Sequence, residues 1–190
     1  MHVVVHNSPG FQRLVIKRPV LWNSSRKEIM NISQTSMSHT STTFWSWLFP
    51  VTYLLHIAEE YWGGEGYSAY LLRLRGIHLS PTTFLMVQSF GLVLIVVGII
   101  LARRLEFPNQ LTVILGAVIL INGLNHAMLS LAYAEYVPGL ITSILLWVPL
   151  GIAILLRLRR TMSDLRYWLC VAIGIGINVV IELLTINLHS

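Results

Sequence analysis

His56, Glu59 and Glu60 stand at positions i, i+3 and i+4, a spacing that puts three ionisable side chains on one helix face. They close an apolar stretch that begins at Phe44. Ionisable groups in hydrocarbon cost a few kcal/mol each, so such a cluster persists where a partner, a metal, a proton path or a substrate offsets that cost. A second imidazole, His126, follows Asn122 at i+4 with Asn125 beside it, and Asn178 and Glu182 form a further i, i+4 pair.

Two imidazoles and a carboxylate are a familiar ligand set for catalytic Zn²⁺, with one position left open for water. His56, His126 and one of Glu59 or Glu60 are the expected ligands, with Glu182 as an alternative carboxylate. The remaining glutamate would act as general base on a water whose pKa the metal lowers towards ~7, and Asn122 or Asn125 would orient a ligand imidazole. The expected cofactor is therefore Zn²⁺ or another divalent metal, and no nucleotide or flavin fingerprint is present. The zincin pattern, HExxH, is also absent, so no zincin analogy applies.

A metal-free alternative uses the same residues. Neighbouring carboxylates in low dielectric titrate apart, which suits proton transfer in the isomerisation or cyclisation of a lipid or isoprenoid. Trp45, Trp47, Tyr53, Tyr61, Trp62 and Trp147 would then line a pocket, or else simply anchor and pack the helices. A third reading is non-enzymatic: a proton or ion pathway, or hydrogen-bonded glue between helices.

The elements that must position these residues are membrane helices. The chain has 190 residues, 55% hydrophobic and 11% charged, against roughly 25% charged in an ordinary soluble domain. Its formal charge of +5 comes from basic clusters between apolar runs, which is a topology signal rather than a nucleic-acid footprint. The single cysteine, Cys170, excludes a disulfide framework and a thiolate metal site.

Five apolar stretches, about 44–61, 83–102, 111–133, 140–156 and 168–187, each approach the ~20 residues that span a bilayer. The first is the shortest and contains Pro50. The expected fold is an all-α integral membrane protein, a five-helix transmembrane bundle. Residues 1–40 read as a polar, disordered cytoplasmic tail, with Met30 or Met37 as alternative starts, and 41–190 as the membrane domain. With the N-terminus in the cytoplasm and the C-terminus outside, eleven of the thirteen Lys and Arg residues lie inside and only Arg73 and Arg75 outside, a clear positive-inside bias. The expected location is the inner (cytoplasmic) membrane, multi-pass.

This topology gathers the unusual residues in one slab. His56, Glu59 and Glu60, then Thr82, Thr83 and Gln88, then Asn122, Asn125 and His126, then Pro138, Gly139 and Thr142, then Asn178 and Glu182 all fall in the outer half. A polar pocket there is the expected site, with membrane lipids as surroundings and a lipid-like molecule as substrate. Thr142 can donate a hydrogen bond inward. Gly174 and Gly176 suit close helix packing. His78, in the outer loop, and His2, His6, His39 and His189, in the tails, receive no role.

His56-Ile57-Ala58-Glu59-Glu60 resembles the signature of the HXXEE family of small bacterial membrane proteins. Asn122-Gly123-Leu124-Asn125-His126 resembles that family's Asn- and His-containing helix, and Tyr136-Val137-Pro138-Gly139-Leu140-Ile141-Thr142 its Pro-Gly turn followed by Thr. The match covers roughly 44–157. The resemblance implies a membrane domain with a candidate active site and names no substrate.

Overall fold

The computed structural model describes residues 44–187, in which every regular element is helical. The expected tail, its candidate start sites and the terminal histidines lie outside the described residues. Helix α1 covers 44–62, and α2 is a short helix, Tyr67–Arg75. Four long helices follow: α3 Pro81–Arg104, α4 Pro108–Tyr133, α5 Leu140–Thr161 and α6 Asp164–Asn187.

Local chemistry sets the boundaries. Ser80 accepts the Thr83 N–H and Pro81 opens α3; a capping hydroxyl and a first-turn proline both suit the unpaired donors of a helix start. Gly76 closes α2 in the left-handed conformation, its N–H returning to the Leu71 and Leu72 carbonyls. Within α5, Ser143–Trp147 form a π-helical turn just before Pro149. Proline has no N–H to give the preceding turn, and a widened turn accommodates that loss.

Helices α3, α4, α5 and α6 are long and apolar enough to cross a membrane; among the described residues there are four such helices, not the expected five. Helix α1 forms as expected, but His56, Glu59, Glu60 and Pro50 dilute its apolar character. One face of it is buried through Ser46, Phe49 and Thr52, while Val51, Leu54 and Leu55 are exposed. So are Phe90, Leu94 and Val97 on α3 and Ile173 and Val180 on α6. Apolar surface on this scale suits lipid contact.

Helix α4 is the central post, packed against both α5 and α6. Small residues bring these helices together: a Cβ on Gly151 would lie 2.9 Å from the Gly116 carbonyl oxygen, and one on Gly174 would lie 2.7 Å from both Ala117 Cβ and the Ile114 carbonyl oxygen. Gly176 faces open space, so only one of the two α6 glycines is a packing position. Asn178 donates to the Val118 carbonyl and to its own turn at Gly174, tying α6 to α4.

Helix α1 runs alongside α4 in the same direction. Ser46 and Thr112 share a buried 2.7 Å hydrogen bond, and Glu60 meets His126. Both pairs have the same sequence offset, and the stretch between them measures ~21 Å of helix rise. The C-terminal halves of α1 and α4 therefore meet the start of α5 at one end of the bundle.

Candidate metal centre

At that end, one face of α1 delivers His56 and Glu60, and α4 delivers His126. All three are buried, with 1%, 4% and 5% of their surface exposed. His56 Nε2 and His126 Nε2 each lie 3.5 Å from Glu60 Oε1. One ligand atom from each residue falls within 4.8 Å of the others. Ligand atoms bound at ~2.0–2.2 Å around a tetrahedral zinc stand ~3.3–3.6 Å apart, so the two histidine–glutamate separations match a shared metal and are too long for direct hydrogen bonds. His56 Nε2 is buried with no hydrogen-bond partner. The residues fit a divalent transition metal.

Glu60 and His56 are held from behind, whereas His126 Nδ1 is buried without a hydrogen-bond partner. Glu60 Oε2 accepts the Gln88 amide at 2.8 Å, and Gln88 Oε1 accepts the Tyr53 hydroxyl. Gly91 leaves the room for that hydroxyl, since a Cβ there would sit 2.5 Å from it. His56 Nδ1 lies 2.8 Å from Thr142 Oγ1. The Trp147 ring stacks on the His56 ring, with centroids 3.6 Å apart, and the Tyr53 ring stacks on Trp147. Trp147 ends the π-helical turn of α5, so the irregular turn carries a wall of the site.

The Pro138-Gly139 turn closes another side. Gly139 has φ +93, and a Cβ there would lie 2.8 Å from His56 Cε1, 2.9 Å from His126 Cε1 and 3.1 Å from Glu60 Cγ. The turn presses bare backbone against all three residues.

Glu59, one residue before Glu60, points elsewhere. Its Oε1 accepts the Ile141 N–H and the Tyr136 hydroxyl, and its Oε2 accepts the Thr142 N–H and hydroxyl. Gly139, the N-cap of α5, brings no capping side chain, and Glu59 supplies the cap from α1. A carboxylate at a helix N-terminus satisfies orphan N–H groups and faces the positive end of the helix dipole. Burial, and then the bond to Glu59, push the Tyr136 phenol above its ordinary range, so it remains a donor.

The other expected site residues do not join the centre. Glu182 pairs with Arg75, the last residue of α2. Asn125 is exposed and Asn122 is half-buried on α4; His126 alone of that group turns to α1. Asn178 is interhelical glue. Arg73 bridges Glu65 and Glu135, so both arginines of α2 are tied down and the short helix lies across the end of the bundle. There the Tyr67 ring lies 6.3 Å from that of His126. Burial, and then the Glu60 carboxylate, hold the Tyr67 phenol above its usual range.

Gln88 and Thr142 share the expected slab with the cluster; depth was the only signal for Gln88, while Thr142 also ends the Pro-Gly motif of the family resemblance. Gly139, Tyr136 and Gly91 act through backbone room and a loop hydroxyl, for which residue type alone gave no sign.

Residues 47–154 match the family described as "Protein of unknown function with HXXEE motif", and the chain belongs to that family. No curated protein and no solved structure matches it.

Proposed function

We propose, from membership of the HXXEE-motif family and from the geometry of its motif here, that this protein is a membrane-embedded metal-dependent hydrolase. Its metal is a divalent transition ion, zinc fitting the donor set best, held by His56 Nε2, His126 Nε2 and Glu60 Oε1. Its substrate is a lipid or lipid-like ester or amide. The observation that carries this reading is the convergence of two imidazole nitrogens on one carboxylate oxygen at 3.5 Å each, buried, with no donor on His56 Nε2.

Three protein ligands leave a fourth position open. When bound, the metal supplies polarisation of a carbonyl and a lowered pKa for water. The chain's own residues do the rest. Gln88 and Thr142 fix the ligands, Trp147 and the Gly139 turn close the walls, and burial excludes bulk water. With Glu59 committed to the start of α5, Glu60 is the carboxylate at the centre. Tyr67, still protonated, is suited to donate a hydrogen bond to negative charge developing on a carbonyl oxygen.

Helix α1 completes the bundle as a fifth span, with the N-terminus cytoplasmic and the C-terminus outside. Its parallel course along α4 over ~21 Å supports this, as does the basic bias of the opposite end. The centre then lies in the outer half of the cytoplasmic membrane, at a depth where lipid ester and amide groups lie.

The test is a panel of lipid esters and amides offered to the full chain in nanodiscs, stripped of metal and then reloaded with zinc. Hydrolysis that appears only with zinc and is lost in His126→Ala supports the reading. Zinc-loaded protein that cleaves no member of the panel, or turnover equal without metal, contradicts it.

A further inference from the structure

The two glutamates of the motif stand next to each other in sequence and do different things, and the hydrogen-bond directions around Thr142 tell what Glu59 does. The carboxylate of Glu59 receives four donors: the Ile141 and Thr142 N–H groups and the Tyr136 and Thr142 hydroxyls. An ionised carboxylate offers about four acceptor sites and no proton, so Glu59 is filled and acts only as acceptor. The Thr142 hydroxyl has one proton. It has two acceptors within reach, Glu59 Oε2 and, at a longer 3.3 Å, the Gly139 carbonyl. The short, charge-assisted bond to Glu59 takes it.

The 2.8 Å contact between Thr142 Oγ1 and His56 Nδ1 then has one consistent polarity: Nδ1 carries the hydrogen and the hydroxyl oxygen accepts it. A neutral imidazole with its proton on Nδ1 has its lone pair on Nε2, the atom that faces Glu60 Oε1 and has no hydrogen-bond partner.

We infer that Glu59 and Thr142 are positioning residues that fix His56 as its Nδ1–H tautomer, so that the first glutamate of the motif sets the imidazole and the second faces what the imidazole binds. The tautomer stands on hydrogen-bond geometry alone; its consequence for metal affinity rests on the proposed metal centre. The same Glu59 carboxylate caps α5, which couples the orientation of His56 to the placement of the helix that carries Trp147. Glutamine at position 59 would reverse the arrangement. Its NH₂ can donate to Thr142 Oγ1, freeing the hydroxyl proton for His56 Nδ1 and moving the imidazole proton to Nε2.

The experiment is nitrogen NMR on the full chain labelled with ¹⁵N-histidine, metal-free and at neutral pH, with His56 assigned by its loss in His56→Gln. The expected spectrum has a protonated Nδ1 and an unprotonated Nε2 at His56. Thr142→Ser keeps this pattern, whereas Thr142→Val and Glu59→Gln shift it towards the Nε2–H form. If Thr142→Val fails to fold, Glu59→Gln, close in size and still an acceptor for the Ile141 N–H, decides. Zinc titration of the same samples is expected to give ~10–100-fold weaker binding in Thr142→Val and Glu59→Gln and near wild-type binding in Thr142→Ser. An Nε2–H or doubly protonated His56 in the wild type, or an unchanged tautomer in both Glu59→Gln and Thr142→Val, overturns the inference. The expected tautomer without zinc binding leaves the inference standing and removes the metal centre.

Discussion

Gly139 packs against His56, so close that a Cβ on the glycine would stand 2.8 Å from His56 Cε1. Gly139→Ala therefore meets two obstacles at once: a φ of +93 that disfavours any side chain, and contact with the two imidazole rings. The expected cost is ~1–3 kcal/mol of stability, with zinc affinity reduced at least ~10-fold as the rings are pushed apart. Thermal melting and zinc titration of the variant check this. An unchanged melting temperature together with unchanged affinity would mean that the turn does not press on the rings.

Gln88→Leu removes the amide that holds Glu60 Oε2 and leaves a buried carboxylate oxygen without its donor. The expected loss is ~10–100-fold in zinc affinity, read by competition with a chelator of known strength. Tyr53→Phe acts one hydrogen bond further out and should cost less. A larger effect for Tyr53→Phe than for Gln88→Leu would break the proposed order of support.

Glu182→Gln should leave zinc stoichiometry unchanged, because the carboxylate is engaged by Arg75 at the end of α6. The pair is partly exposed, and its loss is expected to cost no more than ~1 kcal/mol, less in high salt. Elemental analysis of the variant checks the point, and loss of metal would return Glu182 to the ligand set.

The α6 glycines give a paired comparison. Gly174→Leu drives a side chain into Ala117 and the Ile114 carbonyl and should destabilise the protein by ~1–3 kcal/mol. Gly176→Leu, with nothing within 4 Å, should be tolerated. Melting temperatures in one detergent read both, and equal effects would contradict the packing of α6 on α4.

Much of this arrangement was legible in the residues. The i, i+4 spacing of His56 and Glu60 put them on one face, and shared depth brought His126 to them, because helix rise and apolar run length convert directly into position. Helix α1 was readable as a helix, although its charged end keeps it outside the four helices that are apolar enough to span. What stayed hidden depended on rotation about helix axes and on loop backbone. Depth placed Asn125 and Glu182 in the right slab but could not say which way they faced: Asn125 turns outward and Glu182 meets Arg75. Glu59 and Glu60 differ by one residue, about 100° around a helix, and that rotation separates a helix cap from a candidate ligand. The role of Gly139 is a matter of φ and of a missing Cβ, visible only once the rings beside it are placed.

The central claim is a metal held by His56, Glu60 and His126. The most direct measurement is elemental analysis of the detergent-purified protein, as isolated and after zinc reconstitution, beside His56→Ala, Glu60→Gln and His126→Ala. The account predicts close to one transition metal per wild-type chain and loss of it in all three variants while each still melts cooperatively. A wild-type protein that takes up no metal even after reconstitution, or variants that retain it, would contradict the account.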